Sequence, residues 1–251
     1  MFRPRIIPVL LLRAGGLVKS RRFGEFRYIG DPLNAVKIFN DLRADELIFL
    51  DIMATAANQT ISPDFVRSVG EEANMPFAAG GGIRTLQHIR DIVGAGAEKV
   101  VIGSYAAENP EFVADAAAHF GSSTIVVCID VKRERWSRDA RVWTVNGTRR
   151  TLYEPAEFAM LMEEKGAGEV IVQAIDKDGA MDGYDIDLIR AISERVSIPV
   201  VALGGAGNLS HLKDAYLAGR ATGLGAGSIF VFHGRKKGVL INYPEKSERP
   251  F

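Results

Sequence analysis

Short apolar runs alternate along this chain with segments of helical period. The runs are RIIPVLL (5–11), ELIFLD (46–51), PFAAG (76–80), KVVIG (99–103), TIVVCID (124–130), EVIVQAID (169–176), PVVALG (199–204) and TGLGAG (222–227). They are apolar at odd and even positions alike, as parallel strands covered on both faces are. Between them, Asp31-Pro32, Ser62-Pro63 and Asn109-Pro110 each set a capping side chain before a proline suited to the first helical position. The first of these helices is expected to bury Ala35, Ile38, Phe39 and Leu42. Eight β-then-α units in 251 residues predict an α/β protein, a (β/α)8 TIM barrel spanning 1–251 as one domain. In such a barrel, functional groups gather where strands end and loops begin.

The two halves of the chain resemble each other. Segment 46–96 lies on 169–219 at one constant offset, which sets Glu46 on Glu169, Pro76 on Pro199, Gly81-Gly82 on Gly204-Gly205 and Ala95-Gly96 on Ala218-Gly219. One residue of slip then brings Gly103-Ser104 onto Gly227-Ser228. The repeat predicts two half-barrels of four units each, about 1–123 and 124–251.

Composition narrows the function classes. Lysine plus arginine and aspartate plus glutamate both number 31, so no overall field gathers nucleic acid or an anionic membrane, and neither partner is expected. The single cysteine, Cys128, excludes an intrachain disulfide, and no CxxC or HExxH pattern offers metal ligands. No metal and no cofactor are expected. No signal-like apolar core opens the chain and no run nears ~20 apolar residues, which predicts a soluble cytoplasmic protein.

Candidate chemistry lies at the strand ends. Gly81-Gly82 with Gly103-Ser104, and Gly204-Gly205 with Gly227-Ser228, read as two anion cradles of backbone N–H and serine hydroxyl donors. Placed symmetrically around one mouth, they imply a small ligand with a phosphate at each end; the alternative is tight turns that need positive φ. Asp51, Asp130 and Asp176 close predicted strands, where a carboxylate can move protons or bind a hydroxyl, or simply cap a loop. Laying strand one on strand five puts Leu11 in the place of Asp130. At the opposite strand ends, Arg5, Glu46, Lys99 and Glu169 would converge on the axis as a neutral ring, unless they are scattered solvated charges. Residues 12–30, with Lys19, Arg21 and Arg22, suit a mobile lid. Residues 131–154 carry Lys132, Arg133, Arg135, Arg138 and Arg141, either a binding flap or a solvated one, with Asn146-Gly147 signalling a type I′ hairpin.

These residues are similar to those of a known family. RIIP (5–8), GDP (30–32), ADELIFLDI (44–52), GGGIR (80–84), VVCIDVKR (126–133), GAGEV (166–170), DKDGAMDGYD (176–185) and PVVALGGAGN (199–208) resemble the cyclase subunit of imidazole glycerol phosphate synthase, to about residue 232. The resemblance implies a half-barrel duplication binding a two-phosphate substrate. It also implies a glutaminase docked at the barrel bottom and ammonia passing up the axis through a gate at Arg5, Glu46, Lys99 and Glu169. It makes Lys19 a lid residue, Asp51 and Asp176 substrate contacts, and Asp130 one of two catalytic aspartates.

Departures from that pattern matter as much. The other catalytic aspartate falls at Leu11, a cysteine at Val9, an asparagine at Gly103 and a threonine at Gln173, and the end of the chain is too short for a full eighth helix. Leu11 cannot transfer a proton. VLLL in strand one and VLINYP near the end resemble instead a paralogous branch associated with acetamidino modification of surface-polysaccharide sugars, where barrel and glutaminase supply ammonia to a separate sugar amidotransferase. Three readings follow: an ammonia-conducting barrel for sugar amidation, a working cyclase using Asp130 alone or a substituted acid, and a non-catalytic bisphosphate-sensing activator of the glutaminase.

Overall fold

The computed structural model describes residues 3–134, 139–234, 236–249 and 251. Arg135 and Arg138 lie outside the described residues. Eight parallel strands form a closed barrel: β1 (Arg5–Arg13), β2 (Leu47–Asp51), β3 (Phe77–Gly80), β4 (Lys99–Ile102), β5 (Ile125–Arg133), β6 (Glu169–Ala174), β7 (Val200–Leu203) and β8 (Gly223–Ala226). Each strand pairs with the next, and β8 returns to β1 through Arg5↔Gly223 to Pro8↔Ala226. The helices are α1 (Pro32–Asp41), α2 (Pro63–Glu72), α3 (Leu86–Gly94), α4 (Ser104–Glu108), α5 (Glu111–Phe120), α6 (Pro155–Glu164), α7 (Ile186–Ser193) and α8 (Leu209–Leu217). The protein is a (β/α)8 barrel. Among the described residues, no helix is long and apolar enough to cross a membrane.

Two separate apolar clusters follow from strand alternation. Ile7, Val9, Ile48, Ala78, Val101, Val126, Ile171, Val201 and Leu203 fill the barrel interior, with Leu11, Leu50 and Cys128 packed against them. Their neighbours in sequence, such as Ile6, Leu10 and Leu12, face outward into the layer beneath the helices.

Local rules account for most helix starts and for several differences from expectation. Asp31 and Ser62 cap α1 and α2 through bonds to the N–H of Asn34 and Phe65, with proline first in each helix. Asn109 does not cap α5: Pro110 itself holds the cap position, and the Asn109 amide turns toward the Tyr105 hydroxyl. The buried stripe of α1 is Pro32, Ala35, Val36 and Phe39, so Ile38 and Leu42 lie on its exposed side. β6 ends at Ala174, two residues short of the apolar pattern, because Ile175–Lys177 form a 3-10 turn.

After β8 a 3-10 turn at Ser228–Phe230 and an antiparallel pair, Phe232–His233 with Gly238–Val239, precede a strap that closes the outer layer. Tyr243 stacks edge-on against Phe39, donates its hydroxyl to the Ile6 carbonyl at 2.8 Å and accepts the Asp45 N–H at 3.0 Å. Arg249, buried, donates to both Asp45 oxygens at 2.9 and 3.0 Å, while Asp45 also accepts the Ile6 N–H. The strap thus pins the start of β1 and the residue preceding Glu46. Replacing Arg249 by alanine leaves Asp45 without its cation; the discounted cost is about 2–4 kcal/mol, and the melting temperature is expected to fall by about 5–10 °C in thermal denaturation.

Candidate functional site at the barrel mouth

At the barrel bottom, strand starts project four charges inward. Arg5 donates to both Glu46 and Glu169, and Lys99 donates to the other oxygen of each at 2.9 Å. The result is an alternating, charge-neutral ring across the axis, its two carboxylates nearly buried. Burial opposes the Arg5 charge, but the two carboxylates outweigh it and hold the guanidinium above its ordinary pKa. Above this ring the interior is aliphatic as far as Val9, Leu50 and Leu203.

At the other end a mouth pocket opens, of about 150 Å³. Leu11, Lys19, Asp51, Asp130, Gln173 and Asp178 line it, together with Gly81, Gly82, Gly103, Ser104, Gly204, Gly205, Gly227 and Ser228. The structure therefore brings both expected cradles, the lid lysine, Asp51 and Asp130 to one cavity. Asp176 is not among the lining residues. It sits in the 3-10 turn, and its carboxylate accepts the Arg133 N–H at 2.9 Å. Asp178, two residues on, faces the pocket instead. The turn that ends β6 breaks the period-two rule, so strand alternation could not have selected it.

Asp130 lies at the pocket floor. Burial pushes its carboxyl up to about 7, with the Asp178 charge adding to the rise and the Cys128 thiol, 3.7 Å away, opposing it. Burial likewise raises Asp178, against bonds from the Ser20 hydroxyl and the Phe23 N–H and the charge of Lys19. Across the mouth, Leu11 presents only methyl groups. Asp130 and Lys19 both exchange protons near neutrality, but no carboxylate stands at Leu11 to work with Asp130 from the opposite side of a substrate.

The glycines hold the loops tightly. Gly82 has φ +68°, and a Cβ there would stand 1.8 Å from the Gln59 carbonyl oxygen; Gly205, at φ +109°, would meet the Gly183 oxygen at 2.1 Å. Tight turns are therefore a structural requirement here, and the same glycines line the cavity. A Cβ at Gly227 would meet the Lys19 ammonium at 2.2 Å, so the lysine lies directly over the second cradle. Arg84 stands beside the first, paired with Glu108 at 3.4 Å and stacked on Tyr105.

Two hairpins roof the mouth. Residues 12 and 13 continue β1, and Gly16–Arg21 and Gly24–Gly30 form a hairpin paired to it through Leu11↔Val18. Its turn is clamped by Asp178, and Lys19 points inward, donating to the Val9 carbonyl at 2.7 Å. Burial pulls that ammonium down to about 8, partly offset by Asp178. The second hairpin pairs Ala140–Thr144 with the end of β5, and Asn146 reaches the Ile52 carbonyl while Val145 donates to the Ser104 hydroxyl. Asn146 and Gly147 both have positive φ, as the I′ signal requires, but Val145 does too, which widens the connection. Lys132, Arg133 and Arg141 are engaged with Trp143, Asp185 and Glu154 and do not line the pocket. At about 150 Å³ the cavity is smaller than the roughly 300–1,000 Å³ of most small-molecule sites.

These carboxyl and ammonium shifts have a pH signature. Because Asp130 holds its proton to about 7 in the folded chain but only to its ordinary carboxylate value when unfolded, its contribution to stability falls as pH rises from about 4 to about 7. Lys19, depressed to about 8, destabilises at neutral pH, and that penalty is relieved progressively as pH rises from about 8 to the ordinary lysine value of 10.5. Unfolding free energies of the unaltered chain and Asp130→Asn are therefore expected to converge near pH 4 and to separate by pH 8, the variant being more stable by about 2–4 kcal/mol.

Comparison with known proteins fits this geometry. The model of the histidine biosynthesis protein family matches residues 5–236. A relative from Leptospira borgpetersenii, provisionally named imidazole glycerol phosphate synthase subunit HisF, is 44% identical over 249 residues, covering 99% of this chain and 98% of its own. Similarly named proteins of Vibrio vulnificus (hisF3, 99% and 96% covered) and Pseudomonas aeruginosa (hisF2, 98% and 97% covered) are each 42% identical. With a barrel of this topology and likeness over its whole length, the chain belongs to the histidine biosynthesis protein family, among proteins named as HisF-type subunits of imidazole glycerol phosphate synthase.

Proposed function

We propose that this chain is the synthase-type subunit of a glutamine-dependent amidotransferase complex, one that conducts ammonia and has given up cyclisation. The carrying observation is the pairing of a closed ring, Arg5–Glu46–Lys99–Glu169, with Leu11 facing the mouth at the other end of the same strand. A glutaminase at the barrel bottom would release ammonia beneath the ring. As it stands the ring closes the axis, so passage requires a cation to release a carboxylate. Neutral ammonia then crosses an aliphatic interior that disfavours ammonium. At the mouth, Gly81, Gly82, Gly103 and Ser104 hold one phosphate of a small ligand, and Gly204, Gly205, Gly227 and Ser228 hold the other. Lys19 and Asp51 contact it. Asp176, whose carboxylate is spent on the Arg133 backbone, acts indirectly, and Asp178 takes the place facing the ligand.

The ammonia is proposed to serve acetamidino-sugar formation in surface-polysaccharide biosynthesis, through a third protein that amidates the sugar. The VLLL and VLINYP segments support that assignment. A second reading, a working cyclase of histidine biosynthesis, draws on family membership and on Asp130, whose pKa of about 7 suits a general acid or base.

Turnover separates the two. With its glutaminase, the chain is expected to convert the synthase's ribonucleotide substrate at least about 10²-fold more slowly than its Leu11→Asp variant; normal rates with Leu11 in place, or rescue of a histidine auxotroph lacking its cyclase, would favour the working cyclase. For the conduit, Lys99→Met and Glu169→Gln are expected to leave glutamine hydrolysis running while ammonia delivery fails. Unchanged coupling in both variants, with melting curves confirming that they fold, would reduce the ring to a structural feature.

A further inference from the structure

His88 and His211, two of the chain's four histidines, stand at equivalent positions of the internal repeat, at the offset that lays Gly81-Gly82 on Gly204-Gly205. Each is the third residue of a helix that follows a glycine loop. Thr85 caps α3 and accepts the His88 N–H at 3.2 Å, and Asn208 caps α8 and accepts the His211 N–H at 3.1 Å. Each imidazole then turns back toward the loop. Nδ1 of His88 accepts the Arg84 N–H at 3.4 Å, and Nδ1 of His211 accepts the Gly207 N–H at 3.1 Å.

A capping box uses glutamate or glutamine at this helical position, accepting from the cap's own N–H. Here an imidazole reaches one residue further back, into the loop itself. The cap differs between the halves, Thr85 against Asn208, and so does the donor, Arg84 against Gly207, yet the bond from loop to imidazole is common to both. In accepting the loop N–H, Nδ1 presents a lone pair to it. At His211 the Asn208 amide nitrogen lies 3.3 Å from Nε2, a longer contact than the Gly207 bond. A neutral acceptor also avoids what a glutamate would bring, a negative charge beside a site meant for anions.

We propose that His88 and His211 are positioning residues that hold the Gly81-Gly82 and Gly204-Gly205 loops in the shape that turns their glycine N–H groups toward the mouth. The inference rests on the phosphate reading above and extends it to residues that line no part of the pocket. Each imidazole occupies the N–H at 84 or 207 and so fixes the orientation of that peptide plane. The donors left for a phosphate are then those of the glycines and of the Gly103-Ser104 and Gly227-Ser228 turns.

The test uses the full chain, with inorganic phosphate and fructose 1,6-bisphosphate as probes in titration calorimetry and amide exchange at Arg84 and Gly207 as a second readout. His88→Leu and His211→Leu are each expected to weaken inorganic phosphate at one cradle by about 3- to 10-fold and to expose the corresponding N–H to exchange. His88→Asn and His211→Asn, whose Oδ1 stands where Nδ1 stood, are expected to retain affinity and protection. Leucine variants that bind and protect like the unaltered chain, or asparagine variants as weak as leucine, overturn the proposal. If the unaltered chain binds neither probe, the phosphate reading fails by itself; exchange then decides the histidines, and undiminished protection in the leucine variants overturns their role.

Discussion

Strand alternation in a closed barrel is the constraint on which the rest of this molecule depends. Because side chains point in and out by turns, β1 sends Arg5, Ile7, Val9 and Leu11 along one internal line from bottom to mouth. β6 does the same with Glu169, Ile171 and Gln173, and β5 with Val126, Cys128 and Asp130. The axial column is thus sorted by height: charged at the bottom, aliphatic in the middle, and at the top mixed, with Asp130 and Gln173 beside Leu11, Leu50 and Leu203. A change of residue on one inward position alters one storey of that column and leaves the others in place. That separability is what lets a chain lose a proton-transfer group and keep its bottom ring.

The mouth inherits a second constraint, the crowding of two roofs over one floor. Asp178 clamps the first hairpin while lending its charge to the neighbourhood of Lys19 and Asp130. The ammonium of Lys19 rests over Gly227, where the second cradle would receive an anion. An anion held there, as proposed, would offer Lys19 a charged partner in place of the Val9 carbonyl. The first cradle is covered differently, by the Val145 N–H on Ser104, so the duplicated halves carry separate roofs.

Much of this was legible from the residues alone, for identifiable reasons. Eight doubly apolar runs could only be strands buried on both faces, and the repeat aligned the glycines, the prolines and the two glutamates of the ring. The eighth outer element differs: a strap rests on Tyr243 and Arg249, whose partners Ile6 and Asp45 lie at the far end of the chain. No local period could signal a bond between residues so distant. Asp176 and Asp178 exchange places for the opposite reason, a purely local one: the 3-10 turn at Ile175 rotates the chain after the alternation has ended. The stripe of α1 shifts because Val36, beside Ala35, points inward and turns Ile38 out. Pattern reading is surest where periodicity is sustained and weakest at the element ends, where the site is built.

The central claim, a conduit kept without cyclisation, is tested most directly by following nitrogen. The chain is combined with its glutaminase, amide-labelled 15N-glutamine, the synthase's ribonucleotide substrate and an excess of unlabelled ammonium, and the products are analysed by mass spectrometry. The account predicts 15N-ammonium in solution and no labelled cyclised product above background. Labelled imidazole glycerol phosphate, formed at the pace of glutamine hydrolysis, would contradict it.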